Sequence, residues 1–108
     1  MLSLLGATTA AAQPPERLAG PWRGVVTRDG ATTTLLLDLR REGGAWRGTF
    51  GFPDQRVLEY PLDRISFGSP NVTMAGPGNA FTLDGVQRGD TLSGTYTDSR
   101  GSASFQVT

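Results

Sequence analysis

The side chains in this sequence that could do chemistry are carboxylates, serines and arginines, because it contains no His and no Cys. That absence removes the imidazole base of a Ser/His/Asp triad, thiol nucleophiles, disulfides and Cys/His zinc sites together. Asp54, Asp63, Asp84, Asp90 and Asp98 are the carboxylates from which a general acid/base pair or a calcium loop would have to be built. Their spacing matches neither. Most stand beside turn glycines or prolines, where Asp caps a reversal by bonding its own backbone. Ser93-Gly94 and Gly101-Ser102 belong to no Gly-x-Ser-x-Gly elbow, and without His a serine has no ordinary base. Asn71-Val72-Thr73 matches a glycosylation acceptor, a three-residue pattern that arises readily by chance. No catalytic, cofactor-binding or metal-ligating residue is assigned, and no cofactor is expected.

Charge narrows the partners further. Lys+Arg is 10 and Asp+Glu is 10, so the net charge is zero and no broad field exists to draw in nucleic acid. Every cation is Arg, scattered from Arg17 to Arg100 rather than clustered. In Trp22-Arg23 and Trp46-Arg47, strand alternation puts ring and guanidinium on opposite faces, so they form no stacking platform.

The elements that must position these residues are strands. From Trp22 onward apolar residues recur at a spacing of two, and Gly or Pro punctuates the chain at short intervals, the pattern of a β-meander. Leu35, Leu37 and Leu39 form one apolar face; so do Trp46, Gly48, Phe50 and Phe52, then Phe81 and Leu83, then Leu92, Gly94 and Tyr96, and finally Ala103, Phe105 and Val107. Leu58, Tyr60 and Leu62, Ile65 and Phe67, and Val72 and Met74 supply shorter runs between them. Turns are expected at Asp29-Gly30, Glu42-Gly43-Gly44, Gly68 to Asn71, Gly76 to Asn79 and Gly89-Asp90.

The expected fold is all-β: a single antiparallel meander of about eight to nine short strands, closed or nearly closed into a barrel because closure removes unpaired edges. A two-sheet β-sandwich keeps the same strands and the same dry face and is the alternative. Strands of about five to seven residues fall short of the roughly 9 to 11 that span a membrane, which places the dry face inside.

A repeat sharpens the expectation. An apolar residue, any residue, Gly, any residue and a second apolar residue recur at Trp22-Gly24-Val26, Trp46-Gly48-Phe50 and Leu92-Gly94-Tyr96. Inward glycines let strands bend and leave space for a neighbouring ring; the alternative is that they line a ligand cavity. The expected core is Trp22, Gly24, Leu35, Leu37, Leu39, Trp46, Gly48, Phe50, Phe67, Phe81, Leu83, Leu92, Gly94, Tyr96 and Phe105, with Phe52 and Tyr60 also inside and both indoles sealed. So many aromatics in one interior leave little room for a ligand. Trp46→Ala is then expected to cost about 3 to 5 kcal/mol.

Three segments result: residues 1–12 as an export signal, 13–20 as a linker or arm, and 21–108 as the barrel-like domain. Residues 1–12 are small and apolar and end in Ala10, Ala11 and Ala12 before Gln13, which suits a signal peptidase cut after Ala12, although no basic residue precedes Leu2. The expected compartment is periplasmic or extracellular. No membrane span is expected in the mature chain, since the apolar run is well short of the roughly 20 residues required.

Leu18-Ala19-Gly20-Pro21-Trp22-Arg23-Gly24, Phe52-Pro53-Asp54-Gln55, Tyr60-Pro61-Leu62-Asp63-Arg64-Ile65-Ser66-Phe67 and Leu92-Ser93-Gly94-Thr95-Tyr96 together resemble the β-rich domain that precedes secreted bacterial α/β hydrolases. The resemblance runs from Arg17 to Thr108, with Tyr96 where that family carries Trp. It implies a non-catalytic accessory module covalently linked to a hydrolase domain, with the triad in that following domain. Gly20-x-Trp22 also resembles the opening of lipocalin-type barrels and of small periplasmic protease inhibitors. Those families pair the Trp with an Arg on a late strand, and Arg100, in an expected turn, is the only late candidate. The resemblance implies a free-standing binder of a small apolar ligand, or an inhibitor presenting the Gln13 to Ala19 arm, whose removal should spare stability.

Overall fold

The computed structural model describes residues 18–108. From Gly20 onward the chain forms nine strands: β1 (Gly20–Arg28), β2 (Ala31–Glu42), β3 (Ala45–Phe52), β4 (Val57–Pro61), β5 (Arg64–Gly68), β6 (Asn71–Ala75), β7 (Phe81–Arg88), β8 (Thr91–Asp98) and β9 (Gly101–Val107). Short 3-10 turns at Pro53–Gln55 and Pro77–Asn79 complete the element list. All nine strands belong to one antiparallel sheet, ordered β4-β3-β2-β1-β9-β8-β7-β6-β5, which curls into a half-barrel. The expected meander is therefore present.

Sequence neighbours pair everywhere except between β4 and β5, and the first and last strands pair with each other, Val26 opposite Phe105. The sheet edges approach at one corner. There the Leu62 N–H donates to the Gly48 carbonyl at 2.9 Å, and the next N–H, of Asp63, donates to the Ala75 carbonyl at 2.9 Å. Away from that corner the seam between β3 and β5 is filled by side chains, with Trp46 and Phe67 edge to face at 6.4 Å. The edges are thus reduced rather than abolished.

Local sequence explains the hairpins. Asp29 and Gly30 both take positive φ, 51° and 81°, the backbone a two-residue turn needs to match strand twist. Five strands are longer than expected, and two of them reach the spanning range, β1 with 9 residues and β2 with 12, so strand length does not separate this sheet from a membrane-spanning one. The dry face is inside because the opposite face carries Arg23, Asp38, Arg40, Arg47 and Asp84, all exposed. No helix among the described residues is long and apolar enough to cross a membrane.

The core follows the expected face. Trp22, Val26, Leu35, Leu37, Leu39, Phe50, Phe52, Phe81, Leu83, Leu92, Tyr96 and Phe105 are buried, joined by Leu18, Val72, Met74 and Val107. Rings from opposite walls meet. Phe50 on β3 contacts Phe81 on β7 at 4.8 Å between centroids, Phe52 contacts Tyr96 at 6.0 Å, and Phe81 stacks on Tyr96 at 5.4 Å. Since β3 is far from β7 and β8 in strand order, these contacts cross the interior and fill it.

Three expectations need correcting. Tyr60 is 54% exposed and Leu58 56%. Phe50 pairs with Tyr60 but Phe52 with Val57, so β4 holds one residue more than β3 between these pairs; this bulge, with Glu59 at φ 54°, turns Leu58 outward. Tyr60 stays on the inner side, 6.1 Å from Phe50, but on an edge strand where nothing covers its other face. Trp46 is only partly buried, packed against the core from the seam, so both indoles are not sealed; Trp22 alone is. Trp46→Ala should therefore cost about 1 to 3 kcal/mol, below the range for a fully buried Trp, as read from urea unfolding. Finally, the repeat glycines do not house rings. A Cβ on Gly24 would lie 1.8 Å from the Gln106 carbonyl oxygen, on Gly94 2.0 Å from that of Asp84, and on Gly48 2.7 Å from that of Asp38. Adjacent backbone occupies the space at Gly24 and Gly94, and at Gly48 it shares it with the Leu39 and Ile65 side chains. Rings lie over Gly85, where Phe105 Cζ comes within 2.8 Å of a Cβ, and over Gly76, where the Phe81 ring does.

Candidate functional site

Polar side chains converge at the end of the sheet where β1 leaves and the β8–β9 turn closes. Alternation aims Arg28, two residues beyond Val26, and Asp98, two beyond Tyr96, at this end of the interior. The Arg28 guanidinium donates to Asp98 Oδ1 at 3.0 Å, with the two side chains 19% and 13% exposed. The Arg100 backbone N–H donates to the same oxygen at 2.8 Å, while the Arg100 guanidinium stands 3.9 Å from Oδ2. Arg28 also lies 6.0 Å from the Tyr96 ring centroid. Val26, Thr33, Phe52 and Gln55 line the cleft beside this group, about 240 Å³ in volume.

Electrostatics fixes the protonation states. Burial works against the Asp98 carboxylate, but the Arg100 N–H, the charges of Arg28 and Arg100 and the Tyr96 hydroxyl outweigh it and hold it below its ordinary 3.8. Burial, then the charge of Asp98 and the hydrogen bond to it, push the Tyr96 phenol up to about 12. A charged carboxylate already engaged by four groups is a poor base, and a phenol that stays protonated is a poor nucleophile. The cluster works as a latch that ties β1 to β8 across the intervening β9.

Two pH effects follow. The depressed Asp98 value stabilises the fold above the unfolded-chain value, and that contribution is lost as pH falls through the folded value, below 3.8. Asp98→Asn should cost about 1.5 to 3 kcal/mol at neutral pH and flatten the acid limb of a melting-temperature profile. The raised Tyr96 value acts oppositely: its contribution is complete below pH 10.0 and is lost as pH rises towards about 12. In a Tyr60→Phe variant, which leaves Tyr96 as the single tyrosine, absorbance at 295 nm should report ionisation together with alkaline unfolding near that upper value.

The other carboxylates are dispersed. Asp98 caps its own turn as expected. Asp54 accepts from the Thr34 N–H at 2.9 Å and Asp63 from the Gly78 N–H at 2.9 Å, so each ties a turn to a distant segment instead. Asp84 lies exposed on β7. No cluster of three or more His, Cys, Asp or Glu able to hold a metal occurs among the described residues.

Trp22 sits at the opposite end, where its indole N–H donates to the Leu18 carbonyl at 2.9 Å. Arg100 is six β1 residues away, about 20 Å along the strand from Trp22 to the Arg28 end, and engages Asp98 there. The Trp–Arg pair of lipocalin-type barrels is not formed. Leu18 is fully buried, so the end of the expected arm is part of the core, and removing Gln13 to Ala19 would cost stability rather than spare it. The export signal and the rest of that arm lie outside the described residues.

A second concavity was not visible in the sequence. It lies on the outer face of β1 to β4, about 660 Å³, and includes Arg23, Leu36, Asp38, Arg40, Leu58 and Glu59. Its wall is the β4 bulge, which periodicity alone hides. The sequence signal that could have located it is Gly51 on an outward position: a Cβ there would lie 3.1 Å from the Val57 carbonyl oxygen and 3.6 Å from Leu58 Cα, and the missing side chain lets β4 lap over the surface.

Comparison with known proteins finds no matching family, no matching curated protein and no matching solved structure.

Proposed function

We propose that this chain is a non-catalytic, exported β module that works by presenting its surface, as the accessory domain of an α/β hydrolase. The observation that carries this reading is the filled interior: rings from β3 touch those of β7 and β8 at 4.8 and 6.0 Å, leaving the outside of the sheet as the binding surface. The engaged state of Asp98 and Tyr96 supports the same view, since the best-placed ionisable pair is committed to holding strands together. Export is supported by the small apolar residues up to Ala12, and mass spectrometry of the periplasmic fraction should find a chain beginning at Gln13.

Reading the coding frame past the Thr108 codon tests the hydrolase link. A frame that continues into a Gly-x-Ser-x-Gly domain is the expected result, and a stop codon there overturns it. The free-standing binder reading makes a different demand. It requires saturable enhancement of an apolar dye with the melting curve intact, whereas a filled interior gives none.

A further inference from the structure

The outer groove carries features that the fold does not use. In register, Arg23 on β1 lies beside Leu36 on β2, which lies beside Gly51 on β3, and the β4 bulge at Leu58 and Glu59 closes the row. Val25, Leu58 and Tyr60 are the large hydrophobic side chains left exposed among the described residues. Leu58 stands on the groove wall and Val25 follows Arg23 on the outer face of β1, whereas Tyr60 lies on the inner side of β4. Four charges surround the apolar centre: Arg23, Asp38, Arg40 and Glu59. None of them forms an ion pair with another described residue, in contrast to Arg28 with Asp98 and Arg47 with Glu42.

The placement of those charges points to the partner. Arg23 and Glu59 stand at opposite margins, on β1 and β4, three strand spacings or about 14 Å apart. Leu36 lies between them, and Leu58 stands beside Glu59 on β4. Two positive and two negative groups sum to zero, so the groove offers no single sign to a nucleic acid or an anionic membrane. A surface with a cation at one margin, an anion at the other and an apolar stripe between is complementary to itself after a half turn, which is what a two-fold contact requires.

We propose that the outer groove of β1 to β4 is an interface between two copies of this chain. A second copy turned about an axis through the stripe sets each Arg23 against Glu59 of the other copy. The same rotation packs Leu36 and Leu58 of one copy on those of the other, removing the exposed apolar area from water. The interface does not depend on a hydrolase partner, so a stop codon after Thr108 leaves it standing.

Sedimentation equilibrium of the purified chain tests it. The expected result is a concentration-dependent rise to twice the chain mass. Arg23→Glu and Glu59→Arg, each made alone, bring like charges together and should raise the dissociation constant at least about tenfold, while the double reversal should return it close to wild type. Leu58→Ser should weaken the dimer without any charge change. These positions are exposed, so circular dichroism melts should match wild type. A wild-type chain that remains monomeric to millimolar concentration overturns the proposal, as does a dimer indifferent to both single reversals. Failure of the folded double variant to recover association would do the same.

Discussion

Gly94→Ala is expected to leave the protein largely unfolded at room temperature. The added methyl would meet the Asp84 carbonyl oxygen at 2.0 Å and the Gly85 Cα at 2.6 Å. Both are backbone atoms of β7, which cannot rotate aside as a side chain would. Relief requires β8 to shift against β7, breaking the register that pairs Gly85 with Gly94 and Leu83 with Tyr96. Overpacking usually costs about 1 to 3 kcal/mol; contact with immovable backbone places this substitution at about 4 kcal/mol or more, much of a small domain's stability. Gly68→Ala is the control, since a Cβ there meets nothing within 4 Å and should change stability by less than about 0.5 kcal/mol. Urea midpoints measure both. Equal midpoints for the two variants would mean that the β7 backbone does not pass as close to Gly94 as described.

Phe81→Ala is expected to cost about 3 to 5 kcal/mol, because the ring touches partners on every side and the cavity left cannot collapse. Phe81 stacks on Tyr96 at 5.4 Å and meets Phe50 and Phe52 edge to face at 4.8 and 6.0 Å. Its other side rests on Gly76, whose absent Cβ would fall 2.3 Å from the ring. Phe81→Leu should recover part of the loss by restoring volume. Near-ultraviolet circular dichroism offers an independent reading, since the ring contacts order the tyrosine chromophore. A Phe81→Ala protein melting within about 1 kcal/mol of wild type would contradict an interior closed by rings from opposite walls.

Both predictions rest on features that the sequence displays unequally. Alternation through Leu35, Leu37 and Leu39, and through Leu92, Gly94 and Tyr96, was readable because side chains two apart share a face of any strand, and these residues lie inside. The Asp29-Gly30 turn was readable because few residues accept positive φ. Leu58 was misread because the β4 bulge inserts a residue that turns it outward, and Tyr60 because its inner-facing ring lies on an edge strand that leaves it exposed. The meaning of Gly24 and Gly94 was half legible: their inward direction followed from spacing, but what fills the vacated space depends on how closely the next strand passes.

The latch at Asp98 shows the same division. An Asp two residues before a turn Arg suggests a cap, and the Arg100 N–H does donate to it at 2.8 Å. Arg28, distant in sequence, joins it only because β9 runs between β8 and β1 in the sheet.

By itself the sequence determined the fold class, the strand count and the buried face, because periodicity, turn chemistry and apolar content are local properties that each strand carries alone. It also determined that nucleophilic chemistry based on His or Cys is unavailable, since those residues do not occur in it. The pairing of β1 with β9, the seam left between β3 and β5, the Arg28–Asp98–Tyr96 contact and the self-complementary outer groove were decided by tertiary structure. Each of these joins residues far apart in the chain. Their proximity depends on the curl of the whole sheet, and no strand encodes that curvature without its neighbours.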